Sequence, residues 1–235
     1  LLIEIPDPNV TPPRVIENSG TISADIAILS ADGSPAGQVT NHVRNTGLIE
    51  GAILLGFGND AVFNNGGGEI RGVVLLEEGD DLYDGIGGVL NGNVRGGLGN
   101  DTYRIDNAAT DIIEDADQGS DTVESTVTYT LRSNFENLRL LGGADLSATG
   151  NGLANQIFGN AGNNVLSGEG GADTINGGDG ADRLIGGLGN DILNGGSNVD
   201  TAVVRGNRSA YTITQTATGV FRVVGADGTD TLTAI

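Results

Sequence analysis

The sequence predicts an all-β fold, wound as a parallel solenoid and closed by an antiparallel cap. Three observations predict it. The C-terminal half repeats every nine residues, and the N-terminal half repeats every twenty or twenty-one. Glycine fills 41 of 235 positions, more than twice its usual share of roughly 7%. Short aliphatic runs separated by Gly–Asp turns make many short strands. Self-similarity at a fixed period is the mark of stacked coils.

Composition removes whole classes of function. There is no Cys, so there is no disulfide, thiolate metal centre or cysteine nucleophile, and the single His, His42, cannot build a histidine metal cage. Thirty-one acidic against eleven basic residues give a net charge of −20, which opposes binding to nucleic acid or an anionic membrane surface. No apolar run approaches the ~18 residues of a membrane span. The chain has no Met and no signal-peptide pattern, and it reads as a piece of something longer. Aromatic residues are sparse at 4%, yet 37% of residues are hydrophobic and grouped in strands, which argues for order over disorder.

The nonapeptide frame begins at Gly150 and runs to Val203 as GNGLANQIF, GNAGNNVLS, GEGGADTIN, GGDGADRLI, GGLGNDILN and GGSNVDTAV. Position six is Asn155, Asn164, Asp173, Asp182, Asp191 and Asp200, and position eight is Ile157, Leu166, Ile175, Leu184, Leu193 and Ala202. Position eight is read as an inward aliphatic on a very short strand. The glycines are read as a turn that needs positive φ and close backbone approach. Such a turn offers carbonyls of Gly168, Gly171, Gly177, Gly180, Gly186 and Gly189 beside the Asp carboxylates. Calcium takes six to eight such hard oxygen ligands. Two nonapeptides make one coil, so Asp173 and Asp191 are expected to stack in one ladder and Asp182 and Asp200 in the other. Asn155 and Asn164 lack charge, so the first two turns are expected to bind calcium weakly or not at all.

These units resemble the calcium-binding repeats-in-toxin (RTX), or hemolysin-type, nonapeptides. The resemblance implies a β-roll that holds several Ca²⁺ ions.

The N-terminal repeat aligns LIEGAILLGFGNDAVF, EIRGVVLLEEGDDLYD and VLNGNVRGGLGNDTYR without a gap. Ile49, Ile70 and Leu90 correspond, as do Gly51, Gly72 and Gly92; Ile53, Val74 and Val94; and Val62, Tyr83 and Tyr103. The turns place Asp60, Asp81 and Asp101 in register, and QGSDTV adds Asp121. Gly58, Gly79 and Gly99 are the matching carbonyl donors. Upstream, NSGTISADIAILSADG sets Ile22 against Ile49 and Asp32 near the turn, with an insertion around Ser34–Val43 that contains His42 as a solvated loop residue. The NxGxIxG phrase is loosely similar to coils of right-handed parallel β-helices in secreted surface proteins. Taking Asp60, Asp81, Asp101, Asp121, Asp145, Asn164, Asp182 and Asp200 as one residue per coil predicts a continuous solenoid, a rod about 45 Å long. The stretch Asp121–Gly143 is the least regular, with strands expected at Thr122–Leu131 and Leu138–Leu141.

Four segments follow from this reading. Residues 1–16, which hold four of the five prolines, form an extended arm that links to another domain, docks on another subunit or folds back over its own first coil. Residues 17–149 form a parallel β-helix, 150–203 the β-roll of six nonapeptides, and 204–235 a cap of antiparallel hairpins. The segment after Val203 is similar to the one that follows the last repeat in secreted metalloproteases and other type I secretion substrates, where more residues usually follow the TDTL phrase.

The acidic turns carry the only strong chemical signal. They recur in every coil, unlike an active site, so no enzyme activity is expected of this chain. Arg95, Arg104 and Arg183 are read as surface partners of Asp, and Tyr83 and Tyr103 as core residues. The resemblance implies a calcium-dependent structural or interaction module that is secreted by, or on the surface of, a Gram-negative bacterium. Such a module would serve as an adhesin, surface-layer or extracellular matrix component that folds on calcium after type I secretion. The alternative is the C-terminal carrier module of a secreted metalloprotease, lipase or alginate epimerase whose catalytic domain lies outside this chain. Expected partners are calcium and either a second copy, head to tail, or a cell surface.

Overall fold

The structure is a computed structural model and describes residues 3–5, 14–30 and 40–235. The expected turn residue Asp32, most of the Ser34–Val43 insertion and all five prolines lie outside the described residues. Two compact units divide the chain, Leu1–Thr122 and Val123–Ile235. Almost every element is a strand; a short 3-10 turn at Arg208–Ala210 is the exception among the described residues. No described helix is long and apolar enough to cross a membrane.

The first unit is a parallel β-solenoid with two faces. One sheet runs through Arg14–Asn18, Asn41–Asn45, Ala61–Asn64, Leu82–Asp84 and Thr102–Ile105. The other runs through Ile3–Ile5, Thr21–Ser30, Leu48–Leu54, Val74–Glu78, Asn93–Leu98 and Asp111–Ile113. The repeat alignment reappears as strand register. Val62 pairs with Tyr83, Tyr83 with Tyr103, Ile53 with Val74, Val74 with Val94, and Ile22 with Ile49, which pairs with Ile70. All of these residues are buried, because successive side chains on a strand alternate between core and solvent.

Two elements differ from expectation, and the arm takes one of its expected placements. His42 is not in a loop. It sits half-buried in the strand Asn41–Asn45, paired with Val15 and Ala61, and its ring meets Phe63 edge-on. The backbone of Ile3–Ile5 lies parallel to Ile28–Ser30 of the same chain, so the arm returns to its own first coil. The strand expected over Thr122–Leu131 is two strands, Thr122–Ser125 and Tyr129–Thr130, with a corner between them where Ser125 Oγ donates to the Val127 carbonyl.

An asparagine ladder closes one corner of the first unit. Asn18 Nδ2 donates to Asn45 Oδ1 at 2.8 Å, and Asn45 Nδ2 donates to Asn64 Oδ1 at 2.9 Å. The same amides reach the carbonyls of Leu48, Glu69 and Val89. All three are buried, and buried amides hold their place only when hydrogen-bonded.

The second unit carries the nonapeptides as a narrower coil. Asn137–Leu140, Gln156–Phe158, Thr174–Gly178 and Ile192–Gly196 stack in one sheet; Ser147–Thr149, Val165–Gly170, Arg183–Leu188 and Thr201–Val203 stack in the other. Ile157 pairs with Ile175 and Ile175 with Leu193, while Leu166 pairs with Leu184, all inward and buried. Ala202 takes the last such place only half-buried. The cap is antiparallel as expected: Thr212–Ala217 pairs with Val220–Val224, which pairs with Thr229–Thr233. Thr229–Thr233 also lies parallel to Ile192–Gly196 and so supplies the next rung of that sheet.

Replacing Asn45 with Ala would remove an acceptor from Asn18 Nδ2 and a donor from the buried Asn64 Oδ1. The Asn45→Ala chain should lose about 2–4 kcal/mol of stability, measured by urea unfolding in calcium. A loss below about 0.5 kcal/mol, the size of an ordinary surface change, would contradict a structural role for the ladder.

Candidate metal centres

The turn carboxylates are buried, and each one ties its coil to the previous coil. In the second unit, Asp173 Oδ1 accepts the Asn155 backbone N–H at 2.8 Å, and Asp191 Oδ1 accepts that of Asp173 at 3.0 Å. On the opposite edge, Asp182 Oδ1 accepts the Asn164 N–H at 2.7 Å, and Asp200 Oδ1 accepts the Asp182 N–H at 2.8 Å. Partners are 18 residues apart throughout, so the two expected ladders are present as stacks. In the first unit, Asp81, Asp101 and Asp121 accept the N–H groups of Asp60, Asp81 and Asp101 at 2.6, 2.8 and 2.9 Å, with separations of 21, 20 and 20.

Six of these carboxylates keep the second oxygen apart. Oδ2 of Asp81, Asp101, Asp173, Asp182, Asp191 and Asp200 is buried with no hydrogen-bond partner. Leaving such an atom unmatched in a dry interior is costly. The space beside it is shaped by glycine. A methyl group at Gly168 would overlap both Asp173 Oδ2 and the Gly186 carbonyl, and one at Gly177 would overlap Asp182 Oδ2 and the Gly195 carbonyl. Gly186 faces Asp191 Oδ2 in the same way. Deeper in the turn, Gly171, Gly180 and Gly189 have φ of 116°, 112° and 136°, and Gly58, Gly79 and Gly99 have φ of 109°, 147° and 133°. At Gly189 a Cβ would strike the Gly171 carbonyl, so only glycine lets these backbones stack. The buried orphan oxygen, the neighbouring carbonyl and the absent side chain together fit a hard cation.

The asparagine turns are built differently. Asn155 Oδ1 accepts the Asn151 N–H and Asn164 Oδ1 accepts the Asn160 N–H, each at 2.8 Å. Their amide groups then donate to the carbonyls of Phe135 and Leu146. In the Asp turns that second position is Glu169, Gly178, Gly187 or Gly196, all with φ between 72° and 114°. The position-two N–H that fills the cradle in an Asn turn makes no such bond there.

Sequence reading missed two members of these ladders and misplaced one. Asp230 continues the ladder beyond Asp191, whose N–H it accepts at 3.2 Å, 39 residues away. The signal was Gly-Thr-Asp-Thr-Leu at Gly228–Leu232, which matches positions four to eight of a nonapeptide. Asn41 heads the first-unit ladder, with both its backbone N–H and its Nδ2 on Asp60 Oδ1. Asp145 is not a ladder residue. It is exposed and accepts the N–H of Asn163, one position early, because Ser147 pairs with Val165 and so sets Leu146 at position six. Arg95 and Arg104 do pair with acids, Asp115 at 3.7 Å and Asp84 at 3.8 Å, while Arg183 is exposed on its strand.

Burial sets the electrostatics. It pushes Asp81 up to about 8, opposed by the Asp60 N–H and reinforced by neighbouring carboxylates. The same cause takes Asp101 to about 7, Asp173 to about 6 and Asp230 to about 6, and raises Asp182 and Asp191. An unfolded Asp titrates near ~3.9. The folded chain therefore holds more protons than the unfolded one between about pH 4 and 8, and its cation-free stability must fall as pH rises through that window. In chelator, the melting temperature should drop between pH 5 and 8; in calcium, which replaces those protons, the drop should shrink. A cation-free melting temperature that rises with pH would show that the carboxylates are not buried as described.

Comparison with known protein families agrees with this geometry. The family model described as RTX calcium-binding nonapeptide repeat (4 copies) matches twice, over residues 149–184 and 168–202. A search of curated proteins gave no match to the chain. Residues 149–202, folded as a β-roll with a buried carboxylate at each later turn, thus match the RTX calcium-binding repeats in sequence and agree with them in geometry, and repeats of that kind are typical of secreted bacterial proteins.

Proposed function

We propose that the chain is a calcium-dependent structural or interaction module of a secreted protein, with an adhesin, surface-layer or matrix role. The observation that carries this reading is the recurrence of a buried carboxylate with one orphan oxygen, turn after turn. A catalytic centre would be one irregular place; here the same chemistry repeats with the coil. Both units consist of stacked coils, which supports a scaffolding role.

Asp173, Asp182, Asp191 and Asp200 would hold Ca²⁺ with carbonyls of Gly168, Gly171, Gly177, Gly180, Gly186 and Gly189, and Asp230 joins the end of one ladder. Asp60, Asp81, Asp101 and Asp121 would do the same with Gly58, Gly79 and Gly99. Asn155 and Asn164, already bonded within their own turns and to the previous coil, would hold no ion. Extracellular calcium modules bind with Kd of about 10⁻⁴–10⁻³ M. At ~100-fold excess over Kd a site adds about 2.7 kcal/mol, so a few sites match the ~5–15 kcal/mol stability of a domain. Such a chain would stay unfolded at cytosolic calcium and fold after export.

Circular dichroism at neutral pH should show β signal in millimolar calcium and its loss in chelator; an unchanged spectrum and melting temperature would refute calcium-dependent folding. Asp182→Ala should lower both calcium stoichiometry and stability, whereas Asn164→Ala should leave stoichiometry unchanged. Equal loss of ions from both would refute the ligand assignment.

Head-to-tail self-association is the partner reading with a structural basis. Arg14–Asn18 and Thr212–Ala217 each stand at the end of a strand order, and an edge strand can accept a neighbour's backbone. The pairing of Ile3–Ile5 with its own chain covers part of the first coil and would limit this. Light scattering in calcium should show growth for the full chain, and more growth when Leu1–Pro13 is deleted. A strictly monomeric chain in both forms would exclude self-association.

A further inference from the structure

We propose that Asp101, Glu114 and Asp121 form a buried divalent-cation site inside the first unit, outside the nonapeptide array. This rests on the reading of Asp101 and Asp121 as ligands and adds Glu114, which belongs to no Gly–Asp turn. Asp101 directly precedes the strand Thr102–Ile105, and Glu114 directly follows the strand Asp111–Ile113 in the other sheet. All three residues are buried, with carboxylate oxygens within 4.8 Å of one another. That spread is roughly twice a calcium–oxygen distance of about 2.4 Å, wide enough for oxygens on opposite sides of one Ca²⁺.

A second observation points to a ligand. Asp101 is 1% exposed and its Oδ2 has no hydrogen-bond partner. That oxygen is aimed into the cluster. A methyl group at Gly96 would overlap Asp101 Oδ2, Glu114 Oε1 and the Tyr103 hydroxyl together, so these oxygens converge on one point kept open by glycine. Glu114 is held there by donors: the Tyr103 hydroxyl donates to its Oε1, and the Gly97 N–H also reaches it. Asp121 is fixed by the Asp101 N–H. Three carboxylates so placed carry up to three negative charges in one cluster. Gly96 also lines a cleft of about 130 Å³ with Glu77, Arg95, Gly97, Asp115 and Gln118. The oxygen-only donor set suits a hard ion of calcium's class.

The test uses the full chain, calcium stoichiometry at saturation, and terbium luminescence excited through tyrosine. Tyr103 touches Glu114 and the chain has no Trp, so Tyr103 is placed to sensitise an ion in this site. Glu114→Gln should bind one ion fewer per chain and lose most of the tyrosine-sensitised emission. Tyr103→Phe should keep the ion count and lose emission. Asp182→Ala should lose a turn ion and keep emission. In chelator at pH 5, where the buried carboxyls hold protons, Glu114→Gln should melt close to the parent chain, and at neutral pH it should gain less from added calcium. A Glu114→Gln chain that keeps every ion and its emission overturns the proposal, and so does one equally destabilised with and without calcium. If Asp182→Ala then still loses its ion, only the Glu114 site falls; if it too keeps every ion, the turn reading falls with it.

Discussion

The interaction on which the rest of the structure depends is the bond from a buried turn carboxylate to the backbone N–H of the previous coil. It uses one oxygen of each Asp and fixes the stacking of neighbouring turns to the residue. A slip of one residue would move every inward aliphatic to the solvent face, so this bond and the core packing specify the same register. The second oxygen, buried and without a donor, makes the cation-free turn expensive. Stability and ion binding are thus properties of one group. The carboxylate that aligns the coils cannot be comfortable until a proton or a cation reaches it.

The two units solve the coil in different ways. The nonapeptide coil needs only two strands and two glycine turns, so it closes in 18 residues and presents a carboxylate ladder on both edges. The first-unit coil is longer, with separations of 20 and 21 along its ladder. It has one Gly–Asp edge, and its other corner is closed by Asn18, Asn45 and Asn64, whose amides donate as well as accept and need no ion. The asparagine turns at Asn155 and Asn164 follow the same logic within the β-roll. An amide accepts from its own turn and donates to the previous coil, while a carboxylate there can only accept.

Much of this was legible in the residues. The inward line Val62, Tyr83, Tyr103 and the line Ile53, Val74, Val94 were readable because period and alternation are local properties of a strand, and the structure keeps both as register. Asp173 over Asp191 and Asp182 over Asp200 followed from a uniform spacing. Where the spacing broke, reading failed. Asp145 looked like one more rung, but the strand Ser147–Thr149 sets it one position early and exposes it. Asp230 completes a ladder only because Thr212–Ala217 and Val220–Val224 fold out as a hairpin and return the chain to the sheet.

The sequence by itself determined the coil period, the inward residues, the glycine turns and the acidic character of the edges, since each depends on neighbours close in the chain. Only the tertiary structure decided that Asp145 leaves the ladder and Asp230 joins it, that His42 belongs to a strand, and that Glu114 meets Asp101 and Asp121. Those facts depend on how one coil closes across its interior. That closure is set by side-chain volume and by the need of buried donors and acceptors to find each other, and no spacing along the chain records it.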